Sequence, residues 1–406
     1  MRGQRLFYAF AVVLALGAVS SPAQDLTLNV LHTFTGPDGA EPAPLIQDAE
    51  GNLYGTTIAG GVGYGTVFEL QTNDHYKVLH TFQGNADGAL PFGGVTRDPS
   101  GNLFGTTQGG SGGTGTIFKV DKSGHETVLY RFTNFDDGAL PTTAPILDAS
   151  GNLYGTTPYG GDSGCGFNGA GCGVVYKFSA AGKFSVLHTF TAVKTGMQPS
   201  GQLVLDADGS LYGTTGEGGD LNCESETACG TVFQIASNGK FSVLYQFTGK
   251  ADGSYPECVI ASGAGTLYGV TEAGGDLNCY PPLGCGTVFK MKTTGTLHRP
   301  DVLYTFAPVI VNNQGHSCLV RDPSGNLYGT NAYGGAHNGG VLFEVNTKGK
   351  FIDVFDFPYL ESQDGSGPTG VLLAPNGNFY GTLDYGGDDS CGYENSGCGT
   401  IFRLRP

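Results

Sequence analysis

Carboxylates and aromatic residues recur in the glycine-rich stretches of this chain, where they could bind a sugar or a peptide. An aspartate follows a Gly-Gly pair four times, with aromatic residues close by. Aromatic faces beside hydrogen-bonding groups suit a polar organic ligand. The alternative is structural, with each aspartate capping its own loop and each tyrosine packing beneath it. The candidate binding residues are Asp162, Asp220, Asp276, Asp388, Tyr159, Tyr280 and Tyr385, accompanied by Phe167, Asp389 and Tyr393.

Cofactor and catalytic signals are weak. The aspartates lack EF-hand spacing, so we expect no cofactor and keep Ca²⁺ as the alternative. Residues 161–164 spell Gly-Asp-Ser-Gly and residues 109–113 fit Gly-x-Ser-x-Gly, but neither has the strand-to-helix setting of a nucleophile elbow. His316 replaces the proline found at Pro256 and Pro368, although a plain loop histidine is the simpler interpretation. We predict no catalytic residue and keep His316 as a binding candidate.

The cysteines indicate disulfides rather than zinc. Close pairs in glycine-rich loops would each close a loop of about eight residues, which contributes on the order of 2.5 kcal/mol in the chain-entropy model. The spacing lacks a CxxC knuckle and no histidine cluster accompanies it. Cys258 and Cys318 occupy matching places in successive repeats, and a fifth disulfide or two buried thiols would both fit. The predicted pairs are Cys165 with Cys172, Cys223 with Cys229, Cys279 with Cys285, and Cys391 with Cys398.

A tandem repeat positions all of these residues. Its period is about 50 residues, in the range of propeller blades. Each unit also carries Gly-Thr-Val-Phe-x-Leu, Val-Leu-x-x-Phe and a short apolar run that usually follows Asp-Gly-x-x-Pro. Variants of Gly-Asn-Leu-Tyr-Gly-Thr begin at Gly51, Gly101, Gly151, Gly209, Gly265, Gly325 and Gly377.

The repeat predicts an all-β, seven-bladed β-propeller of four-stranded antiparallel blades. The four apolar runs per unit are short, β-branched or aromatic, and bounded by Gly, Asp and Asn, as strands are. Small sheets of this kind bury their faces by stacking in a ring. One Val-Leu-x-x-Phe copy, Val30 to Phe34, precedes the first unit, whereas the last unit stops at Leu404 without one. The N-terminal strand should therefore complete the last blade and close the ring.

The motif run closely resembles the GloVer (Gloeobacter/Verrucomicrobia-type) tandem repeat of secreted bacterial proteins. The run comprises Asp-x-x-Gly-Asn-Leu-Tyr-Gly-Thr-Thr, Gly-Gly, Gly-Thr-Val-Phe-x-Leu and Val-Leu-x-x-Phe, and it extends from Val30 to Leu404. The resemblance implies tandem architecture and an extracellular location, and it supplies no activity or catalytic residues. The WD40 and kelch patterns fit poorly because they rely on Trp, which this chain lacks.

The N-terminus predicts export. Arg2 and Arg5 precede an apolar run, and Ser21-Pro22-Ala23 offers a cleavage site. We therefore divide the chain into a signal peptide, 1–23, and a single propeller domain, 24–406, located in the periplasm or outside the cell. No later stretch reads as a membrane span. The 36 acidic residues outnumber the 20 basic ones, which disfavours nucleic acid and anionic membranes as partners.

Strand order predicts where a ligand would bind. The glycine-rich loops and the Asp-Gly-x-x-Pro segments should emerge on one rim, and the long, cysteine-bearing loops all belong to it. We expect a secreted, monomeric, non-enzymatic propeller that binds an extracellular glycan or protein through this rim. One alternative is a hydrolase or lyase acting on polysaccharide at the channel mouth. The other is a structural component of the cell envelope, since the fold alone does not decide.

Overall fold

The computed structural model shows the predicted seven-bladed β-propeller. It describes residues 26–405 except 111–112, 134–135, 167–168, 192, 200, 221–222, 224–228, 264, 280, 295–298, 308–316, 360–362, 389–390 and 392–396. The predicted signal peptide therefore lies outside the described residues. Within them the chain forms no helix long and apolar enough to cross a membrane. A short 3-10 helix, Val193–Thr195, is present between blades 3 and 4.

Seven antiparallel sheets make the blades, and each runs outward from the central channel in chain order. The N-terminal strand is β1 (Thr27–Thr33). Blade 1 contains β2 (Ala40–Pro42), β3 (Ile46–Gln47), β4 (Leu53–Ala59), β5 (Thr66–Leu70) and β6 (Tyr76–Thr81). Blade 2 contains β7 (Val95–Arg97), β8 (Leu103–Thr107), β9 (Thr116–Val120) and β10 (Glu126–Arg131). Blade 3 contains β11 (Ile146–Leu147), β12 (Leu153–Thr157), β13 (Val174–Phe178) and β14 (Phe184–Thr189).

The remaining blades repeat this order. Blade 4 contains β15 (Val204–Leu205), β16 (Leu211–Thr215), β17 (Thr231–Ile235) and β18 (Phe241–Gln246). Blade 5 contains β19 (Ser254–Ala261), β20 (Thr266–Ala273), β21 (Thr287–Lys292) and β22 (Asp301–Thr305). Blade 6 contains β23 (Val320–Arg321), β24 (Leu327–Asn331), β25 (Val341–Val345) and β26 (Phe351–Asp356). Blade 7 contains β27 (Ser366–Leu373), β28 (Phe379–Tyr385) and β29 (Thr400–Arg405), completed by β1.

The two ends of the chain close the ring, as predicted. β1 pairs antiparallel with β29, and Val30 lies opposite Phe402. The last blade thereby obtains its outer strand from the start of the chain. Because the pairing uses backbone hydrogen bonds along a whole strand, it holds blade 7 together without a covalent link.

The hydrophobic core lies between neighbouring blades. A glycine in the second strand of each blade leaves room in this core for an aromatic ring of the third strand. The phenyl ring of Phe68 in β5 reaches across to Gly55 in β4, where an added Cβ would lie 2.6 Å from the ring. A larger residue there would displace the buried ring. The glycine of Leu-Tyr-Gly-Thr is thus a packing requirement. The fully buried rings at the position of Phe68 are Phe118, Tyr176, Phe233, Phe289, Phe343 and Phe402.

Candidate functional site

Two sets of connections form one face of the ring, which we call the loop rim. The first set joins second to third strands and comprises 60–65, 108–115, 158–173, 216–230, 274–286, 332–340 and 386–399. The second set joins fourth to first strands and comprises 34–39, 82–94, 132–145, 190–203, 247–253, 306–319 and 357–365. The two sets are hydrogen-bonded to each other, as between Leu90 N–H and the Tyr64 carbonyl at 3.0 Å. The opposite face, the turn rim, holds the Asp-x-x-Gly turns.

The residue before the proline of Asp-Gly-x-x-Pro has a left-handed backbone in successive blades. Its φ lies near +55°, a region that non-glycine residues rarely adopt. The repeat thus places a side chain at an equivalent point of the loop rim in each of blades 1 to 5. Those residues are Glu41, Leu90, Leu140, Gln198 and Tyr255, and in blade 7 the position is Gly367, also at positive φ.

The aspartates predicted to bind a ligand are built into the turns that lead to the cysteine pairs. Asp162 accepts a hydrogen bond from Gly164 N–H at 2.9 Å, and Asp276 accepts one from Asn278 N–H at 3.0 Å. The backbone carbonyls of Asp162, Asp220, Asp276 and Asp388 each accept the amide of the first cysteine of the pair. These contacts fit the structural alternative and leave the binding role a prediction. Tyr280, His316, Phe167, Asp389 and Tyr393 lie outside the described residues.

A Ca²⁺ site remains an alternative without a described ligand set. In the described part of the chain, no three His, Cys, Asp or Glu side chains converge in a way that could hold a metal ion.

Tyr159 is paired through its backbone across the loop rim, where its carbonyl group accepts a hydrogen bond from Ala139 N–H at 2.8 Å. Tyr159 is thus part of the backbone framework of blade 3.

All five disulfides are formed, including the one that the sequence left open. The Cα atoms of Cys258 and Cys318 lie 5.6 Å apart, so this bridge joins the inner strand of blade 5 to the segment just before the inner strand of blade 6. Each loop disulfide packs against the phenylalanine that follows a fourth strand, as Cys172 does against Phe190. The loop pairs are Cys165–Cys172, Cys223–Cys229, Cys279–Cys285 and Cys391–Cys398. Five disulfides indicate an oxidising compartment outside the cytoplasm.

The channel encloses a cavity of about 370 Å³, which is lined by the inner strands of all seven blades. Most of its wall is apolar, with Leu45, Val204 and Leu372 among the lining residues. Thr142, Ser317 and Thr369 add hydroxyl groups. The cavity therefore resembles a small-molecule pocket in size and offers few polar anchors.

A cluster of two tyrosines and two carboxylates lies where blades 6, 7 and 1 meet at the loop rim, and we call it the Tyr385 corner. The Tyr385 hydroxyl is 3.3 Å from the Tyr333 hydroxyl. The Tyr385 ring covers Gly367, where an added Cβ would lie 2.7 Å from a ring carbon. Asp384 interacts electrostatically with Glu41, at the start of blade 1. Of these four residues, the sequence predicts a binding role for Tyr385 alone.

Burial perturbs the carboxylic acids around the channel mouth. It raises the pKa of Asp384 to about 7, and the charge of Glu41 adds to this rise. In blade 5, burial raises the pKa of Glu257 to about 8, with a further contribution from Glu272. An acid held in its neutral form near pH 7 is costly to the fold and is common at functional sites.

The repeat itself contained a signal for the missed residues. Asp384 occupies the position of Ile58, Gln108 and Ala332 in other blades, and blade 5 also has an acid there, Glu272. Gly367 stands where blades 1 to 5 have a side chain, and this opens the space that Tyr385 fills. A comparison of the units position by position would have marked both. By contrast His32 and His80 are paired with Asp38 and Asp87, so they belong to the framework.

Charge is divided unequally between the rims. Apart from Lys194 and Lys250, the sequence of the loop rim contains no lysine or arginine. With the adjoining Glu41, Glu257, Glu272 and Asp384, it holds more than half of the 36 acidic residues. Cationic side chains occupy the turn rim, where Arg97 lies 3.7 Å from Asp48. The loop rim therefore carries most of the net negative charge.

Comparison with known structures supports the fold and goes no further. The extracellular domain of a protein described as a one component system from B. thetaiotaomicron aligns with a TM-score of 0.54 and 11% identity, over 92% of this chain and 39% of that one. The PQQ-bound aldose sugar dehydrogenase from Streptomyces coelicolor aligns with a TM-score of 0.50 and 14% identity, over 95% and 99%. At such identities the likeness concerns architecture alone. A search of curated protein sequences finds no significant match.

The repeat, by contrast, matches a known family. The family model described as the Gloeobacter/Verrucomicrobia repeat matches residues 16–168, 166–313 and 281–406. These matches span nearly the whole chain and agree with the seven blades of the structure. The protein therefore belongs to the Gloeobacter/Verrucomicrobia repeat family.

Proposed function

We propose that this protein is an exported, non-enzymatic binding propeller that engages an extracellular glycan through its loop rim. The observation that supports this most directly is the distribution of exposed apolar side chains. In the described part of the chain, the large exposed hydrophobic residues other than Val186 and Val302 all lie on the loop rim. They are Val62, Tyr64, Phe92, Leu283 and Tyr359.

Aromatic residues on a rigid, acidic rim fit a carbohydrate ligand. Tyr359 is 64% exposed, and its ring lies 5.5 Å from that of His337. A sugar presents C–H faces to aromatic rings and hydroxyl groups to nearby carboxylates. The rim is held rigid by the loop disulfides, so binding would cost little conformational entropy. Asp162, Asp220, Asp276, Asp388, Tyr159 and Tyr385 remain the proposed contacts from the sequence.

A glycan array probed with the chain from Gln24 onward tests this proposal, with calcium present and after chelation. Selective binding should be lost in Tyr359→Ala and Tyr64→Ala. Val186→Ala, which removes an exposed apolar side chain from β14, should leave binding unchanged. Loss on chelation would add Ca²⁺ to the site. Silence across the array, or binding that is indifferent to both tyrosines, would reject glycan recognition by this rim and favour a protein partner.

The carboxyl pair at the Tyr385 corner favours a second candidate, a polysaccharide hydrolase or lyase. Burial raises the pKa of Asp384 to about 7, so a substantial fraction of it is protonated near neutral pH, as a general acid must be, and Glu41 interacts with it electrostatically. Incubation with extracellular polysaccharides and a reducing-end assay would test this reading. Turnover that disappears in Asp384→Asn would replace the binding role by catalysis.

A further inference from the structure

The cavity in the central channel is separate from the surface proposed to bind a glycan. Its volume of about 370 Å³ falls within the range of about 300–1,000 Å³ that is typical of small-molecule sites. The aspartates and tyrosines proposed as glycan contacts are not among the described residues that line it. The cavity can therefore have a ligand of its own, whose chemistry follows from the composition of its wall.

The wall of the cavity is uncharged. Among the described residues that line it, none is Asp, Glu, Lys, Arg or His, although the chain contains 36 acidic and 20 basic residues. A carboxylate, phosphate or ammonium group that left water for this wall would find no opposite charge, and the transfer would be costly. The wall therefore disfavours charged ligands.

Two of the hydroxyl groups in the wall are already paired with neighbouring groups. The Thr369 hydroxyl lies 2.6 Å from that of Thr382, which donates to the Ala43 carbonyl, so Thr369 donates to Thr382. The Ser317 hydroxyl accepts hydrogen bonds from the Thr330 amide and hydroxyl at 3.0 and 2.9 Å. These groups have little left to offer to water in the cavity. An apolar ligand that displaces weakly held water gains free energy.

A glycine in the inner strand of blade 7 keeps part of the cavity open. An added Cβ at Gly370 would lie 3.5 Å from Pro44 of blade 1 and 3.9 Å from Ser317 of blade 6. Blades 6 and 1 flank blade 7, so this point lies where three blades converge on the channel. The same repeat position holds Pro44, Cys258 and Cys318 in blades 1, 5 and 6. The disulfide between these two cysteines holds the wall in place, so the cavity is formed before a ligand arrives.

Hydrocarbon surface is available inside the channel. Phe92 lines the cavity and is still 38% exposed, so its ring is free to contact a ligand. Leu45, Ile260 and Leu372 add aliphatic surface from blades 1, 5 and 7. Aromatic and aliphatic walls of this kind bind apolar molecules through burial of surface and close packing.

We infer that the channel binds an uncharged small molecule with a hydrocarbon body. Contacts with the apolar wall supply the affinity, and the absence of a counter-charge in the described wall excludes charged analogues. This inference is independent of the proposed glycan-binding role, which uses the loops outside the channel.

Fluorescence titration with N-phenylnaphthylamine tests it. This dye is uncharged at neutral pH, and its emission rises in apolar surroundings. Octanol and octanoate then compete for the dye site, and they share one chain length but differ in charge. Octanol should displace the dye at a concentration at least about tenfold lower than octanoate, because the carboxylate would have to leave water unpaired.

Three variants locate the dye. Gly370→Leu should weaken dye binding at least about tenfold by filling the channel, and its backbone admits a side chain because Gly370 has no positive φ and an added Cβ would make ordinary contacts. Phe92→Ala should weaken binding about threefold or more through loss of the ring. Tyr359→Ala removes an exposed ring that does not line the cavity and should leave dye binding unchanged. Circular dichroism and melting temperatures establish that each variant is folded, and Phe92→Ala decides the matter if Gly370→Leu is not.

The outcomes separate this inference from the proposed function. Equal displacement by octanol and octanoate, or full dye affinity in a folded Gly370→Leu protein, would overturn the channel site. Loss of dye binding in Tyr359→Ala with retention in Phe92→Ala would place the dye on the loop rim and refute it as well. Absence of dye and octanol binding would reject the channel site and leave glycan binding standing. Dye binding in the channel together with a silent glycan array would reject the glycan proposal alone.

Discussion

Thr382 of blade 7 donates a hydrogen bond from its hydroxyl group to the backbone carbonyl of Ala43 in blade 1, at 3.1 Å, across 339 residues of sequence. The equivalent threonine braces other neighbouring blades. Thr106 in blade 2 donates to the Thr143 carbonyl of blade 3 at 2.9 Å. The closing junction therefore uses the same inner contact as the junctions within the ring. As at the other junctions, a loop, here 34–39, links the outer strand of one blade to the next blade, but that outer strand, β1, is not continuous in the chain with β29.

Removing this brace should loosen the closure selectively. Thr382→Val loses the hydrogen bond to Ala43, and we expect a loss of about 1–2 kcal/mol in the free energy of unfolding. Hydrogen exchange at the β1 amides should accelerate, because β1 stays in place only while blade 7 is closed. Thr106→Val removes the matched bond and should lower stability without affecting β1. Equal acceleration in both variants would contradict a distinct closing junction.

Tyr176→Phe should stabilise the protein. Tyr176 is fully buried and its hydroxyl group has no hydrogen-bond partner, whereas other blades have phenylalanine at this position. Removing an unsatisfied buried hydroxyl group should raise the free energy of unfolding by about 1 kcal/mol. The reverse change, Phe233→Tyr, should lower it. Chemical denaturation of both variants measures the effect, and a destabilised Tyr176→Phe would show that the hydroxyl group has a partner.

Thr195→Asp should repair a missing ion pair. His32 pairs with Asp38 at 3.0 Å, but the corresponding His188 has no hydrogen-bond partner at Nε2, and Thr195 stands where the aspartate would be. Burial lowers the pKa of His188 to about 4. Because the unfolded state binds this proton more readily, stability should fall as the pH drops from about 6.5 toward 4.

The aspartate at position 195 should raise the His188 pKa and flatten this pH dependence. NMR titration of the histidine ring protons, together with melting temperatures across this range, measures both effects. Ala207→Asp adds the same charge on an exposed turn and serves as the control. An unchanged His188 pKa in Thr195→Asp would show that position 195 does not face the imidazole.

Asp384→Asn should increase stability at neutral pH. The folded-state pKa of Asp384 is raised from 3.8 to about 7, so the native state resists ionisation that the unfolded state accepts. Wild-type stability should therefore decline as the pH rises between these values, and the variant should lack this decline. The two proteins should melt alike near pH 4 and differ by about 1–3 kcal/mol at pH 8, allowing for partial solvation. Equal melting temperatures across the range would refute the burial penalty.

The disulfide between blades 5 and 6 should contribute more than a loop disulfide. Cys258 and Cys318 are 60 residues apart, whereas Cys223 and Cys229 are 6 apart. In the chain-entropy model the longer loop is worth about 4 kcal/mol and the shorter about 2.5 kcal/mol. Thermal unfolding of the two double cysteine-to-serine variants compares them. A larger loss from the Cys223–Cys229 variant would contradict the entropic account.

The architecture could be predicted from the sequence because the same strand motifs recur in every unit of the repeat. The strand motifs predict the blades, and the displaced copy Val30 to Phe34 predicts the closing strand. The Cys258–Cys318 disulfide could not be predicted with the others, because residue spacing in the sequence does not give the distance between neighbouring blades. The Tyr385 corner was missed for a related reason. Asp384 and Glu41 lie at opposite ends of the chain, and their proximity follows only from a ring in which blade 7 touches blade 1.

The unequal rims also determine how the whole molecule behaves in an electric field. With its excess negative charge on the loop rim, the ring has a permanent dipole moment along its axis. Within about 10 Å of an anionic surface, where salt screening is incomplete, this dipole experiences a torque. The less negative turn rim would rotate toward the surface and the loop rim away from it. The propeller would thus arrive already oriented, with its aromatic and acidic face turned to the surrounding medium.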